Sequence, residues 1–219
     1  MLDLKFEIRG AAPATLAATP TLAFALQIDT AGDEQIHAIL LRTQVQIEAP
    51  RRRYDPAEQT RLFDLFGPPP EWARTLRRLL WTQANLNVPG FSGRTTVELT
   101  VPCNYDLDQA VTKYFHGLTD GEVPLGFLFS GTVFYRDARG TLQVTQIPWE
   151  KEARFRMPIT AWRTVMDHYY PNTAWIGLSR ATADRLADYK TRAGLATWAQ
   201  AVENLLDAEQ RLGAEKVIA

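Results

Sequence analysis

Residues 39–48 read ILLRTQVQIE, and residues 21–29 read TLAFALQID. In the first, Ile39, Leu41, Thr43, Val45 and Ile47 take one side of an extended chain, and Arg42, Gln44, Gln46 and Glu48 take the other. In the second, Leu22, Phe24, Leu26 and Ile28 share a side. Apolar and polar residues alternating at period two describe an antiparallel sheet with one face in a core and one in water. The polar link TAGDEQ between the two stretches supplies the turn.

The same pattern extends in both directions. Leu4–Arg9, Leu22–Asp29, Ile39–Glu48, Thr96–Val101, Leu125–Tyr135 and Leu142–Trp149 read as strands, and the last continues through Phe155 beyond a kink at Pro148. Gly131 interrupts the longest strand where a bulge or a close backbone approach is expected. Six or seven such strands predict an α+β fold. Its centre is an antiparallel two-sheet β-sandwich of Ig-like, Greek-key type, with a helical insertion and C-terminal helices. A single curved sheet with helices on one side is the alternative.

Between strands the period changes. DPAEQTRLFDLFG opens with Asp55 as N-cap and Pro56 at the first helical position, and Gly67 with PPP closes it. PEWARTLRRLLW restarts a helix, and NLNVPGFSGR reads as loop, so the insertion is placed at about 51–94. Residues 1–157 then form the sandwich, 158–213 a helical subdomain packed on it, and 214–219 a tail. Gly194 and Gly213 punctuate the helix ends. In WRTVMDHYYPNTAW, Trp162, Val165, Met166 and Tyr169 fall on one helical stripe, which predicts core. Trp175, Ile176 and Leu178 are expected to follow them inward. Tyr170, beside Pro171 at the helix end, is the aromatic best placed to meet a partner.

The 219 residues suit one large domain or a domain with a subdomain. A net charge of −1 recommends neither nucleic acid nor an anionic membrane as partner. The opening MLDLKFEIRG alternates like a strand and lacks a signal-peptide pattern, so a cytoplasmic location is expected, and no stretch is long and apolar enough for a membrane span. Cys103 is the only cysteine, and His37, His116 and His168 stand at no metal-ligand spacing. No metal and no cofactor are expected. Neither a Walker loop nor a GxSxG nucleophile motif occurs. Cys103 reads as a buried, inert thiol.

The most uneven charge feature is the arginine-rich insertion. Arg51, Arg52 and Arg53 precede Trp72, Arg74, Arg77 and Arg78, and Arg with Trp dominates interface hot spots. Those seven residues and Tyr170 are the interaction candidates. A solvated face with intrahelical ion pairs is the competing reading.

Several phrases occur together: QVQIEAPRRRY, LFGPPPEWARTLRRLLW, VPCNYD, LFSGTVFY, QIPWEKEARFRMP, YYPN and LATWAQAVENLL. Over nearly the whole chain they resemble an uncharacterised bacterial family of unknown function, whose members often stand beside uptake nickel–iron hydrogenase genes of the actinobacterial type. The resemblance implies a role accessory to hydrogenase maturation, assembly or electron transfer. It assigns no catalytic or binding residue. With Cys103 alone, the chain lacks the usual ligands of an iron–sulfur cluster.

Two function classes follow. The first is a non-catalytic interaction or accessory factor with a protein partner or a second copy of itself. The second is a hydrolase-type enzyme or small-ligand module with a non-local site between the sheet end and the helices. Converging polar groups in a pocket would favour the second, and an exposed apolar patch the first.

Overall fold

The computed structural model describes residues 2–32, 34–103, 109–137, 139–173 and 176–218. Strands β1 (Leu4–Pro13), β2 (Thr21–Thr30), β3 (Gln35–Ile47), β4 (Leu79–Ser92), β5 (Arg94–Pro102), β6 (Glu122–Arg136), β7 (Leu142–Gln146) and β8 (Glu152–Pro158) form two antiparallel sheets. One has the order β1-β2-β5. The other runs β4-β3-β6, with β7 and β8 sharing the far edge of β6. Strands adjacent in space are thus separated in sequence (β2 with β5, β3 with β6), the Greek-key signature of an Ig-like sandwich.

The inner faces are the ones the alternation assigns. Leu22, Phe24, Leu26 and Ile28 meet Ile39, Leu41, Val45 and Ile47, all buried. Phe24 sits edge-on to Phe127 at 5.2 Å and to Trp81 at 6.2 Å, while Phe6 stacks on Phe129 at 4.3 Å. Gly131 marks where β6 changes partner, from β8 up to Leu128 to β7 from Thr132. Its φ is +139°, and a Cβ there would lie 2.0 Å from the Leu40 carbonyl oxygen. Only glycine satisfies both conditions.

The expected helical insertion is shorter than its sequence suggests. After a 3-10 turn at Ala49–Arg51 come α1 (Pro56–Arg61), α2 (Phe63–Phe66), a second 3-10 turn at Pro69–Glu71 and α3 (Trp72–Thr75). From Leu79 the chain is β4, not helix and loop, and it pairs along the length of β3. A bulge opposite Val45 and Gln46 explains the misreading. Leu79 and Trp81 point inward before it, and Ala84, Leu86 and Val88 after it, so the period of two breaks in the middle. Pairing with β3 overrides the helix propensity of TLRRLL. Asp55 is the expected N-cap, and the structure completes it as a capping box with Glu58.

Helices α4 (Gln109–Gly117) and α5 (Ile159–Tyr169) close one end of the sandwich. Trp162, Val165 and Met166 are buried, and Trp162 stacks on Phe115 at 5.0 Å. The aromatic stripe is therefore core. The chain divides into two compact units, Met1–Thr173 and Ala174–Ala219. The first unit takes α5, which the sequence grouping assigns to the later helices. The second holds α6 (Arg180–Arg192) and α7 (Trp198–Ile218), an antiparallel hairpin turned at Gly194, φ +64°. Helix α7 passes through Gly213, so that glycine does not end it. Ile176 and Leu178 are exposed rather than buried, and Trp175 lies outside the described residues.

Candidate functional site

The insertion is anchored by a sealed ion pair. Arg52 donates through Nη2 to Glu58 Oε1 at 2.6 Å and to the Asp120 carbonyl at 2.6 Å, and through Nη1 to the Glu122 carbonyl at 2.8 Å. The Thr119 amide also donates to Glu58 Oε1, at 2.8 Å. Arg52 thereby ties the insertion to the turn before β6, and its guanidinium lies over the Tyr54 ring. Beside it, Tyr54 donates its hydroxyl proton to the Ala49 carbonyl at 2.8 Å. The 2.8 Å contact between Tyr54 and Tyr114 must then have Tyr114 as donor. Burial pushes both phenols up, Tyr114 to about 12.

The other arginines divide by partner. Glu48, placed on the wet side of its strand by alternation, is buried and accepts Arg51 at 3.0 Å and Arg78 at 3.3 Å. Arg74 pairs with exposed Glu71 at 3.3 Å. Arg53 and Arg77 are exposed and have no ion-pair partner among the described residues. Trp72 is half-buried, donates to the Gly67 carbonyl at 2.9 Å and packs edge-on to Tyr54. Tyr170 packs partly against the core. The structure thus seals Arg52, half-buries Trp72, ties the exposed Arg51 and Arg78 to buried Glu48, pairs Arg74 at the surface, and leaves Arg53 and Arg77 exposed. The glutamates that hold the arginines carry one sequence signal, the capping spacing of Asp55 to Glu58.

Exposed apolar side chains gather elsewhere, on surfaces the sequence reading does not single out. On the outer face of the larger sheet, Leu40, Leu142 and Val144 are each at least half exposed. Phe134 lies between them, paired in register with Ala38 and with Val144. Residues 141–147, TLQVTQI, carry no charge, and among the described residues β7 pairs with β6 alone. Trp149, just beyond, is 87% exposed. The hint in the sequence is the middle residue of ILL, Leu40, which breaks the alternation. A second apolar surface lies on the α6–α7 hairpin, where Ile176, Leu178, Trp198, Val202, Leu205 and Leu206 are exposed.

Burial shifts two groups that could act chemically, Cys103 and His116. Burial raises the Cys103 thiol to about 12, and its S–H faces the Val101 carbonyl at 3.5 Å. His116 lies edge-on to Trp162 at 5.1 Å, and burial, reinforced by the Arg163 charge, lowers its basicity. Among the described residues, no three His, Cys, Asp or Glu side chains are grouped to hold a metal ion. No helix in them is long and apolar enough to cross a membrane.

A model of a family of unknown function, DUF6084, matches residues 1–214. The chain belongs to the DUF6084 family. No curated protein matches it. Among solved structures it is similar to a β-glucosidase from Kluyveromyces marxianus, at 11% identity over 71% of this chain and 15% of that one, TM-score 0.28. It is similar to β-glucosidase 3B from Thermotoga neapolitana at 16% identity over 71% and 17%, TM-score 0.24. The putative ApaA protein from Bordetella pertussis gives 13% identity over 72% and 94%, TM-score 0.25. The chain therefore spans under a fifth of either glucosidase. At TM-scores this low no argument follows from the likeness. This DUF6084 member must be read from its own surfaces.

Proposed function

We propose that this protein is a non-catalytic interaction factor that binds a partner protein along the free edge of β7. The observation that carries the reading is that edge itself. Soluble proteins protect edge strands with lysine, proline or inward charges, because unpaired backbone groups template further strands. Here TLQVTQI has no such guard, and Leu142 and Val144 continue an apolar strip through Phe134 to Leu40. An extended partner segment with alternate apolar side chains fits it: its backbone would pair with β7 and its side chains would lie against Leu142 and Val144. Arg53, Arg74 and Arg77, whose charges face water, are candidates for steering the encounter and setting its salt dependence. The family resemblance supports a finer reading, in which the partner is a nickel–iron hydrogenase subunit or one of its assembly factors.

A photo-crosslinking residue at position 144 tests this, with Glu98 on the outer face of the opposite sheet as control. In host cells it should trap one protein at position 144 and not at 98, with the crosslink mapping to an extended segment. Val144→Lys should abolish trapping from position 142 with the circular dichroism unchanged. Equal trapping at both sites, or none, would overturn the proposal. Crosslinked peptides outside hydrogenase and its maturation machinery would remove the finer reading alone.

A further inference from the structure

We propose that the α6–α7 hairpin pairs with the hairpin of a second copy of this chain, building a four-helix bundle across a two-fold axis. The inference is independent of the β7 edge, which lies in the other compact unit. Among the described side chains of the second unit, those of 176–211, Ala201 is the only one buried, and α6 buries none. Two helices leaning on each other make one layer, and stable architectures need a second layer to cover the apolar stripe. The stripe is present. Ile176 is 74% and Trp198 53% exposed, and with Leu178, Leu186 and Val202 they line a groove of about 510 Å³. Leu205 and Leu206 extend it along α7. Such a strip can form the apolar centre of a standard interface, about 800 Å² per partner.

Charge selects the occupant. Arg180, Arg185, Lys190 and Arg192 outnumber Asp184 and Asp188 on α6 by two, whereas Glu203, Asp207 and Glu209 outnumber Arg211 by two over residues 198–211. Among the described residues no ion pair joins α6 to α7 within the chain, where the polar ties are Tyr189 to Asn204 at 3.0 Å and Lys190 over the Trp198 ring. Apart from Lys190, the charges of both sets are therefore without an ion-pair partner across the hairpin among the described residues. A partner of one sign would satisfy one helix and repel the other. A second copy related by a two-fold axis sets α6 on the facing α7 twice, satisfying both and keeping like helices diagonal.

The test uses the full-length chain and its mass by light scattering. Wild type should give twice the chain mass at about 100 µM and dissociate on dilution. One variant reverses α6 (Arg185→Glu, Arg192→Glu), and another reverses α7 (Glu203→Arg, Asp207→Arg). Each alone should lose roughly tenfold or more in self-affinity. Mixed, they should form a heterodimer, because both of its helix contacts then carry opposite charges. That rescue cannot come from contacts inside one chain, where each variant still sets like charges together. A single-chain mass for wild type at that concentration would overturn the proposal whether or not the variants fold. So would unaltered masses for folded variants, or failure of the mixture to recover. Val144→Lys should leave the mass unchanged, which separates this result from the β7 reading.

Discussion

Glu58 and Arg52 meet at 2.6 Å with both side chains almost sealed from water, and the pair holds the insertion against the loop ahead of β6. A buried pair adds little over an apolar substitute, but losing one partner strands the other charge. Glu58→Ala should therefore cost about 3–5 kcal/mol in urea unfolding. The double variant Glu58→Leu, Arg52→Met should recover most of that loss. If the single variant unfolds at the wild-type midpoint, the insertion is not held by this pair.

The tyrosine pair predicts an alkaline limit. Both phenols are protonated in the native state, and burial raises their pKa above the ordinary value of 10. Between pH 10 and about 12 the unfolded chain sheds protons that the native chain keeps. Their contribution is whole below pH 10 and is lost as pH rises, at up to about 1.4 kcal/mol per pH unit for each phenol. Cys103, also raised to about 12 by burial, starts the decline earlier, near its ordinary value of 9. Tyr54→Phe should flatten the slope, and it should cost more at pH 7 than Tyr114→Phe. Tyr54 both donates to Ala49 and accepts from Tyr114, whereas only the latter bond is lost with the Tyr114 hydroxyl. Unfolding midpoints from pH 7 to 11 measure both effects.

Gly131→Ala should be among the most damaging small substitutions in the chain. The added carbon would meet the Leu40 carbonyl at 2.0 Å in a backbone region that L-residues avoid. A loss of about 3 kcal/mol or more is expected, with faster amide exchange where β6 passes from β8 to β7. A loss under about 1 kcal/mol would show that β3 and β6 can part locally at little cost.

Two tryptophans should respond oppositely to truncation. Trp162, stacked on Phe115 in the core, should cost about 3–5 kcal/mol as Trp162→Ala. Trp149, 87% exposed, should change stability by no more than about 0.5 kcal/mol. Chemical denaturation of the two variants side by side checks the contrast.

Local periodicity and residue chemistry by themselves determined the strands β1, β2, β3, β5, β6 and β7, the N-cap at Asp55, the glycine at the β6 crossing and the inward stripe of α5. Each is a short-range matter: which side chains share a face, which residue tolerates a given φ, which carboxylate reaches a nearby amide. The α+β sandwich class follows from them. Tertiary structure alone decided what depends on partners distant in sequence. The bulge of β4 erased the period that would have shown it as a strand, and only pairing with β3 makes it one. The fate of each arginine was likewise set by an acid or carbonyl brought from elsewhere in the fold. Arg52 meets Asp120 and Glu122 across some seventy residues, while Arg53 beside it faces water. The exposed apolar faces of β7 and of the α6–α7 hairpin became visible for the same reason: a strand or helix is amphipathic in sequence, but whether its apolar side is covered depends on what the rest of the chain packs against it.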